Sequence, residues 1–68
     1  LRFLDRVEEV LQTIRNNPDI YPVYQQETMI RKAVIHERMV LYYRVTDKSK
    51  IELITFWNTQ QDPKRLKF

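Results

Sequence analysis

The chain has 68 residues, enough for one domain with a thin core. It has no cysteine and one histidine, His36, which excludes disulfides, thiolate catalysis and cysteine-based zinc sites. The net charge of +3 suits an acidic partner or nucleic acid, and equally a solvated surface rich in lysine.

Leu1 to Asn16 carry apolar residues at Phe3, Val7, Val10, Leu11 and Ile14, widened by Leu1 and Leu4. That spacing predicts an amphipathic helix with Arg2, Asp5, Arg6, Glu8, Glu9, Gln12 and Arg15 on its polar side. Asn16-Asn17-Pro18 stops it, because Asn tolerates a left-handed cap and Pro cannot continue the ladder. Asp19 to Glu27 reads as a linker in which Pro22 extends Tyr21 and the tyrosines fold back over a sheet edge. Three strands follow, Thr28 to Ile35, Met39 to Thr46 and Ile51 to Trp57, all rich in β-branched and aromatic residues. Their short connections force antiparallel neighbours, since a parallel crossover takes a dozen or more residues. With no glycine anywhere, every turn must use Asn, Asp, Pro, Ser or Lys. Residues 58–68 form a polar, basic tail, with Asp62 placed to cap a short helix opening at Pro63. The expected fold is α+β, one helix packed on a three-stranded antiparallel meander.

Strict alternation puts Leu41, Tyr43 and Val45 on one face and Val40, Tyr42, Arg44 and Thr46 on the other. In the last strand it groups Ile51, Leu53, Thr55 and Trp57 against Glu52, Ile54, Phe56 and Asn58. One helix covers one face only, so the second face is expected to meet a partner, a ligand or more of the domain. No apolar run approaches the roughly 20 residues of a membrane span. No signal-peptide pattern is present either, which points to the cytoplasm.

The candidate chemistry is cationic. Arg31, Arg38 and Arg44 are placed to stabilise a phosphorane and His36 to move a proton, as a metal-independent ribonuclease requires. The structural alternative is that these are solvent-facing strand and turn residues that guard exposed edges. Lys32, Lys64 and Arg65 are candidates for contact with nucleic acid or another target. No cluster of acids suggests a metal site, and no cofactor motif is present.

The words NNPDIYP, MIRKAVI, VLYYRVTD and IELITFWNTQQDPKRL occur in that order behind a helix. Together they resemble the RelE/ParE superfamily, the toxins of bacterial type II toxin–antitoxin modules, also called plasmid stabilisation proteins. The matching residues are Pro18, Arg31, Tyr43, Arg44, Phe56, Trp57, Gln61, Asp62 and Pro63. The resemblance implies a single toxin domain over residues 1–68. It also implies a preceding strand and helix, so that the chain represents the C-terminal portion of the domain. A cognate antitoxin is the implied partner, with Phe3, Val7, Tyr42, Phe56 and Trp57 as its expected interface. A homodimer and a toxin–antitoxin hetero-oligomer are the implied assemblies, with no membrane contact. The family divides between cleavage of mRNA on the ribosome (RelE-like) and poisoning of DNA gyrase (ParE-like), and an inactive binding module of the same fold is a further alternative. Phe56-Trp57-Asn58-Thr59 offers no His, Arg or Tyr where a RelE-like acid or base stands.

Overall fold

A computed structural model of the chain describes residues 2–47 and 50–66. Leu1 of the predicted helix, Lys48 and Ser49 of the second predicted turn, and Lys67 and Phe68 of the tail lie outside the described residues. The elements are α1 (Arg2–Asn16), β1 (Val23–Gln25), β2 (Ile30–His36), β3 (Met39–Asp47), β4 (Lys50–Asn58) and a 3₁₀ turn at Pro63–Arg65. The strands form one antiparallel sheet in the order β1-β2-β3-β4. The Cα framework is only 15 Å thick, which is one helix laid on one sheet.

The α+β class is as expected, but the sheet has four strands rather than three. The segment read as a linker contains β1, which pairs Val23 with Arg31 and Gln25 with Ile30. The turn from β1 to β2 has a backbone bond from the Met29 N–H to the Gln26 carbonyl at 3.3 Å. Met29 takes φ of 58°, a left-handed position usually given to glycine, in a chain that has none. This turn moves the start of the next strand from Thr28 to Ile30.

The helix ends as the sequence requires, with the Asn17 N–H on the Thr13 carbonyl at 2.9 Å before Pro18. Its buried residues, Val10 and Ile14, meet Ala33, Ile35, Leu41 and Tyr43, all at most 1% exposed. Val7, Leu11, Tyr21, Met39, Val45 and Ile51 pack around them. The Arg6 Nε donates to the carbonyl of Ile35 at 2.7 Å, tying the helix to the residue displaced where β2 and β3 slip register.

The opposite face has a smaller core of Ile30, Val40 and Tyr42, with Ile54, Trp57 and Leu66 packed on it. The tail segment thus covers part of a face that was expected to be open. Its 3₁₀ turn begins at Pro63 as predicted, and the Asp62 carboxylate accepts the Lys64 N–H at 3.0 Å.

One correction decides which side chains share a face. Tyr42 pairs with Thr55 and Tyr43 with Leu53, so Ile54 is an extra residue, a β-bulge. The bulge breaks the alternation predicted for β4. Ile51, Leu53 and Phe56 lie on the helix side, opposite Val45, Tyr43 and Leu41. Thr55 and Trp57 lie on the far side, opposite Tyr42 and Val40.

Candidate functional site

The four residues expected to form a catalytic set do not converge. Arg31 opposes Tyr43, which puts it on the helix side of the sheet. Its Nη1 donates to the carbonyls of Tyr21 at 2.6 Å and Asp19 at 3.3 Å, and its Nη2 pairs with the Asp19 carboxylate at 3.2 Å. With its side chain only 17% exposed, Arg31 holds the helix-to-sheet connection in place. Arg44 lies on the other face and pairs with Glu52, directly across the β3–β4 ladder. His36 ends β2, where its Nδ1 accepts the Arg38 N–H at 3.3 Å and its ring meets the edge of Phe3 at 5.6 Å. Arg38 lies in that turn, with its carbonyl bonded to the Thr59 N–H at 2.9 Å. Among the described residues its guanidinium has no hydrogen bond or ion pair, and no three His, Asp or Glu side chains stand together as metal ligands would.

Besides a concavity along α1 alone, two surface features join more than one element. The first is an apolar trough of about 380 Å³ between α1 and β4, lined by Leu11, Ile14, Arg15, Ile51 and Leu53. It exists because α1 packs over β2 while the bulge turns Leu53 and Phe56 toward the same side. Leu53 is 48% exposed and Phe56 43%, and Phe3 and Leu4 at the helix start are exposed as well. Of the five residues expected to meet an antitoxin, Phe3, Val7 and Phe56 belong to this side. Tyr42 and Trp57 do not, because the register carries both to the far face.

The second feature is a cavity of about 180 Å³ on the far face, where Tyr24, Lys32, Tyr42 and Trp57 meet the tail residues Thr59, Gln61 and Leu66. Each strand supplies one of the first four. The rings of Tyr24 and Tyr42 lie 4.9 Å apart at 58°, and the Lys32 Nζ stands 5.8 Å from the centre of the Tyr24 ring. Burial pushes the Tyr42 phenol above its ordinary value, and the neighbouring Tyr24 adds to the shift. Sequence reasoning named Lys32, Tyr42 and Trp57 but assigned them to different surfaces. It missed Tyr24, Thr59, Gln61 and Leu66 as site residues, because they come from segments taken for a linker and a tail. The remaining predicted contacts, Lys64 and Arg65, do not line this cavity; they are exposed on the 3₁₀ turn between Gln61 and Leu66.

Among the described residues no helix is long and apolar enough to cross a membrane. No curated relative and no solved structure matches the chain. Residues 1–63 match the family model of the ParE toxin of the type II toxin–antitoxin system parDE, and the chain belongs to that family.

Proposed function

We propose that this ParE-family chain is the growth-inhibiting toxin of its module, that a cognate antitoxin neutralises it by seating on the α1–β4 trough, and that it acts in the cytoplasm by poisoning DNA gyrase. Family membership supports the toxin role. The observation that carries the mode of action is the dispersal of the candidate catalytic groups. Arg31 is committed to the connection before β1, Arg44 to Glu52 on the opposite face, and His36 to its own turn. A ribonuclease needs a base, an acid and a transition-state cation within hydrogen-bond reach of one phosphodiester. A protein that acts by binding has no such requirement.

The trough suits an amphipathic antitoxin segment. Its floor is aliphatic, Phe56 and Leu53 continue it along β4, and Arg15 stands on its rim. With a toxin charge of +3, acidic residues flanking the apolar anchors of the partner speed association and fix its register. A toxin–antitoxin hetero-oligomer is the assembly this seat predicts.

Induced expression with and without the protein encoded by an adjacent small open reading frame tests the reading. Growth arrest relieved by that partner, with gyrase–DNA cleavage complexes accumulating and transcripts intact, is the expected result. Cut transcripts without trapped gyrase would replace the gyrase reading with a ribonuclease one, and Arg38, whose guanidinium is uncommitted, would be the first residue to substitute. Absence of any arrest would leave a binding module of the same fold. For the antitoxin seat, Leu53→Glu is expected to abolish rescue while leaving toxicity intact.

A further inference from the structure

The far-face cavity plays no part in the antitoxin seat. Its floor is the Tyr42 ring, 3% exposed, and one wall is Tyr24, 49% exposed, with Trp57 beside them. These rings come from β3, β1 and β4, so the paired strands hold them at fixed spacing. Lys32 of β2, paired with Tyr42 in the ladder, brings its Nζ to 5.8 Å from the Tyr24 ring. It forms none of the ion pairs among the described residues, which belong to Arg6, Arg31 and Arg44. A cation beside aromatic surface and without a carboxylate favours an anionic ligand. The facing wall carries the Gln61 amide, able to donate and to accept, and the Thr59 hydroxyl, whose proton goes to the Glu37 carbonyl at 3.4 Å.

Size narrows the ligand. At about 180 Å³ the cavity is smaller than the roughly 300–1,000 Å³ of pockets for drug-sized molecules. It takes one ring system with one anionic group. An aromatic residue next to a carboxylate in a peptide meets the first part of that description, and so does one base with its phosphate. The continuation separates them. Between the cavity residues Gln61 and Leu66 the chain passes through Lys64 and Arg65, exposed on the 3₁₀ turn, so two further cations flank the ring site along the chain. That is the pattern of a stacking platform joined to a backbone track.

We propose that the far face binds a nucleotide unit of single-stranded nucleic acid, its base stacked on the exposed Tyr24 ring beside Trp57, its phosphate at Lys32 and the next phosphates at Lys64 and Arg65. The binding involves no cleavage and is independent of the toxin reading, so it stands or falls separately from growth arrest.

Trp57 is the only tryptophan of the chain, which makes its fluorescence a reporter of this cavity alone. A short oligothymidylate is expected to quench it saturably, with affinity falling steeply as salt rises. Thymidine 5′-monophosphate should quench it more weakly, and inorganic phosphate not at all. Should the monophosphate match the oligonucleotide, the ligand is a free nucleotide rather than a strand, and the backbone track is overturned. Tyr24→Ala should weaken binding roughly tenfold or more through lost stacking. Lys32→Gln should lower the slope of log affinity against log salt by about one contact. Should either variant melt below the assay temperature, the Trp57 indole N–H followed by NMR in the unaltered protein carries the test. No saturable response to oligonucleotide or nucleotide overturns the proposal. A response only to a peptide with an aromatic residue flanked by glutamates also overturns it and makes the cavity a peptide site.

Discussion

The two faces of the sheet share the same four strands but are closed in different ways. On the helix side a 15-residue element brings Val10 and Ile14 onto Ala33, Ile35, Leu41 and Tyr43, and water is excluded almost completely. On the far side no α-helix is packed among the described residues. Ile30, Val40 and Tyr42 are covered by their neighbours in the sheet, by Trp57 and by Leu66 from the tail. The first arrangement spends its apolar surface on stability. The second leaves the Tyr24 ring exposed and Lys32 half-buried, so most of the folding free energy resides on the helix face.

The largest expected effect tests that division. Ile14→Ala removes buried aliphatic volume beneath the helix and should cost about 2–5 kcal/mol. A chain of this size is stable by only roughly 3–10 kcal/mol, so the variant should be substantially unfolded in a urea titration. Trp57→Ala removes a larger side chain from the far face, but one that is only partly withdrawn from water. Its cost should stay near 1–2 kcal/mol. Equal losses for the two variants would break the comparison.

Arg31→Gln should come next, at about 1.5–3 kcal/mol, because it removes charge-assisted bonds to the carbonyls of Asp19 and Tyr21 and to the Asp19 carboxylate. Thermal melts of the variant should also show loss of growth arrest tracking loss of fold. Toxicity lost at full stability would return Arg31 to a direct role in the activity.

Much of this organisation was legible in the sequence, and the failures have physical causes. The helix, its stop at Pro18 and the three long strands follow from strong periodicity and from breakers that act locally. β1 was hidden because three residues behind a proline carry no period, and its pairing with β2 depends on a turn at Met29 that nothing in a glycine-free sequence announces. The bulge at Ile54 is also silent, since alternating apolar residues read equally well in either phase. It is the bulge that sends Phe56 to the helix side and Trp57 to the cavity. Arg31 and Arg44 looked equivalent as strand arginines, and only the three-dimensional neighbours Asp19, Tyr21 and Glu52 separate them. The far-face cavity was half legible, because Lys32, Tyr42 and Trp57 stand out by type while Tyr24, Thr59 and Gln61 join them only through the edge strand and the returning tail.

Tyr43 offers a smaller and pH-dependent test. Its hydroxyl donates to the Pro18 carbonyl at 2.8 Å, and its ring meets Tyr21 edge-on at 6.3 Å. Tyr43→Phe should cost about 0.5–1.5 kcal/mol near neutral pH. Burial raises the Tyr43 phenol above its ordinary 10.0, with the Arg31 charge opposing part of the shift. The folded state therefore holds this proton more tightly than the unfolded one. The contribution is fully present below pH 10 and is lost as pH rises from there through the folded value. Denaturant midpoints measured from pH 8 upward should fall in the alkaline range, and less steeply for Tyr43→Phe. An identical pH profile for the two proteins would show that burial on the helix side does not control this phenol.

The smallest expected effect concerns the far face alone. Arg44 and Glu52 face each other across β3 and β4, with a second contact from Nε to Oε1 at 2.9 Å, and both side chains are more than a third exposed. Both guanidinium nitrogens converge on the one Glu52 Oε1, and solvent screening with the entropy of holding two long side chains limits the pair to about 0.2–1 kcal/mol. A double-mutant cycle of Arg44→Gln and Glu52→Gln should return a coupling in that range that shrinks with added salt. Arg31 with Asp19 is the internal control, because its arginine is more deeply buried and also bonds to backbone carbonyls. Its coupling should be larger and less sensitive to salt. If both pairs respond to salt alike, the helix side is wetter than its buried core implies, and the contrast between the two faces loses its electrostatic half.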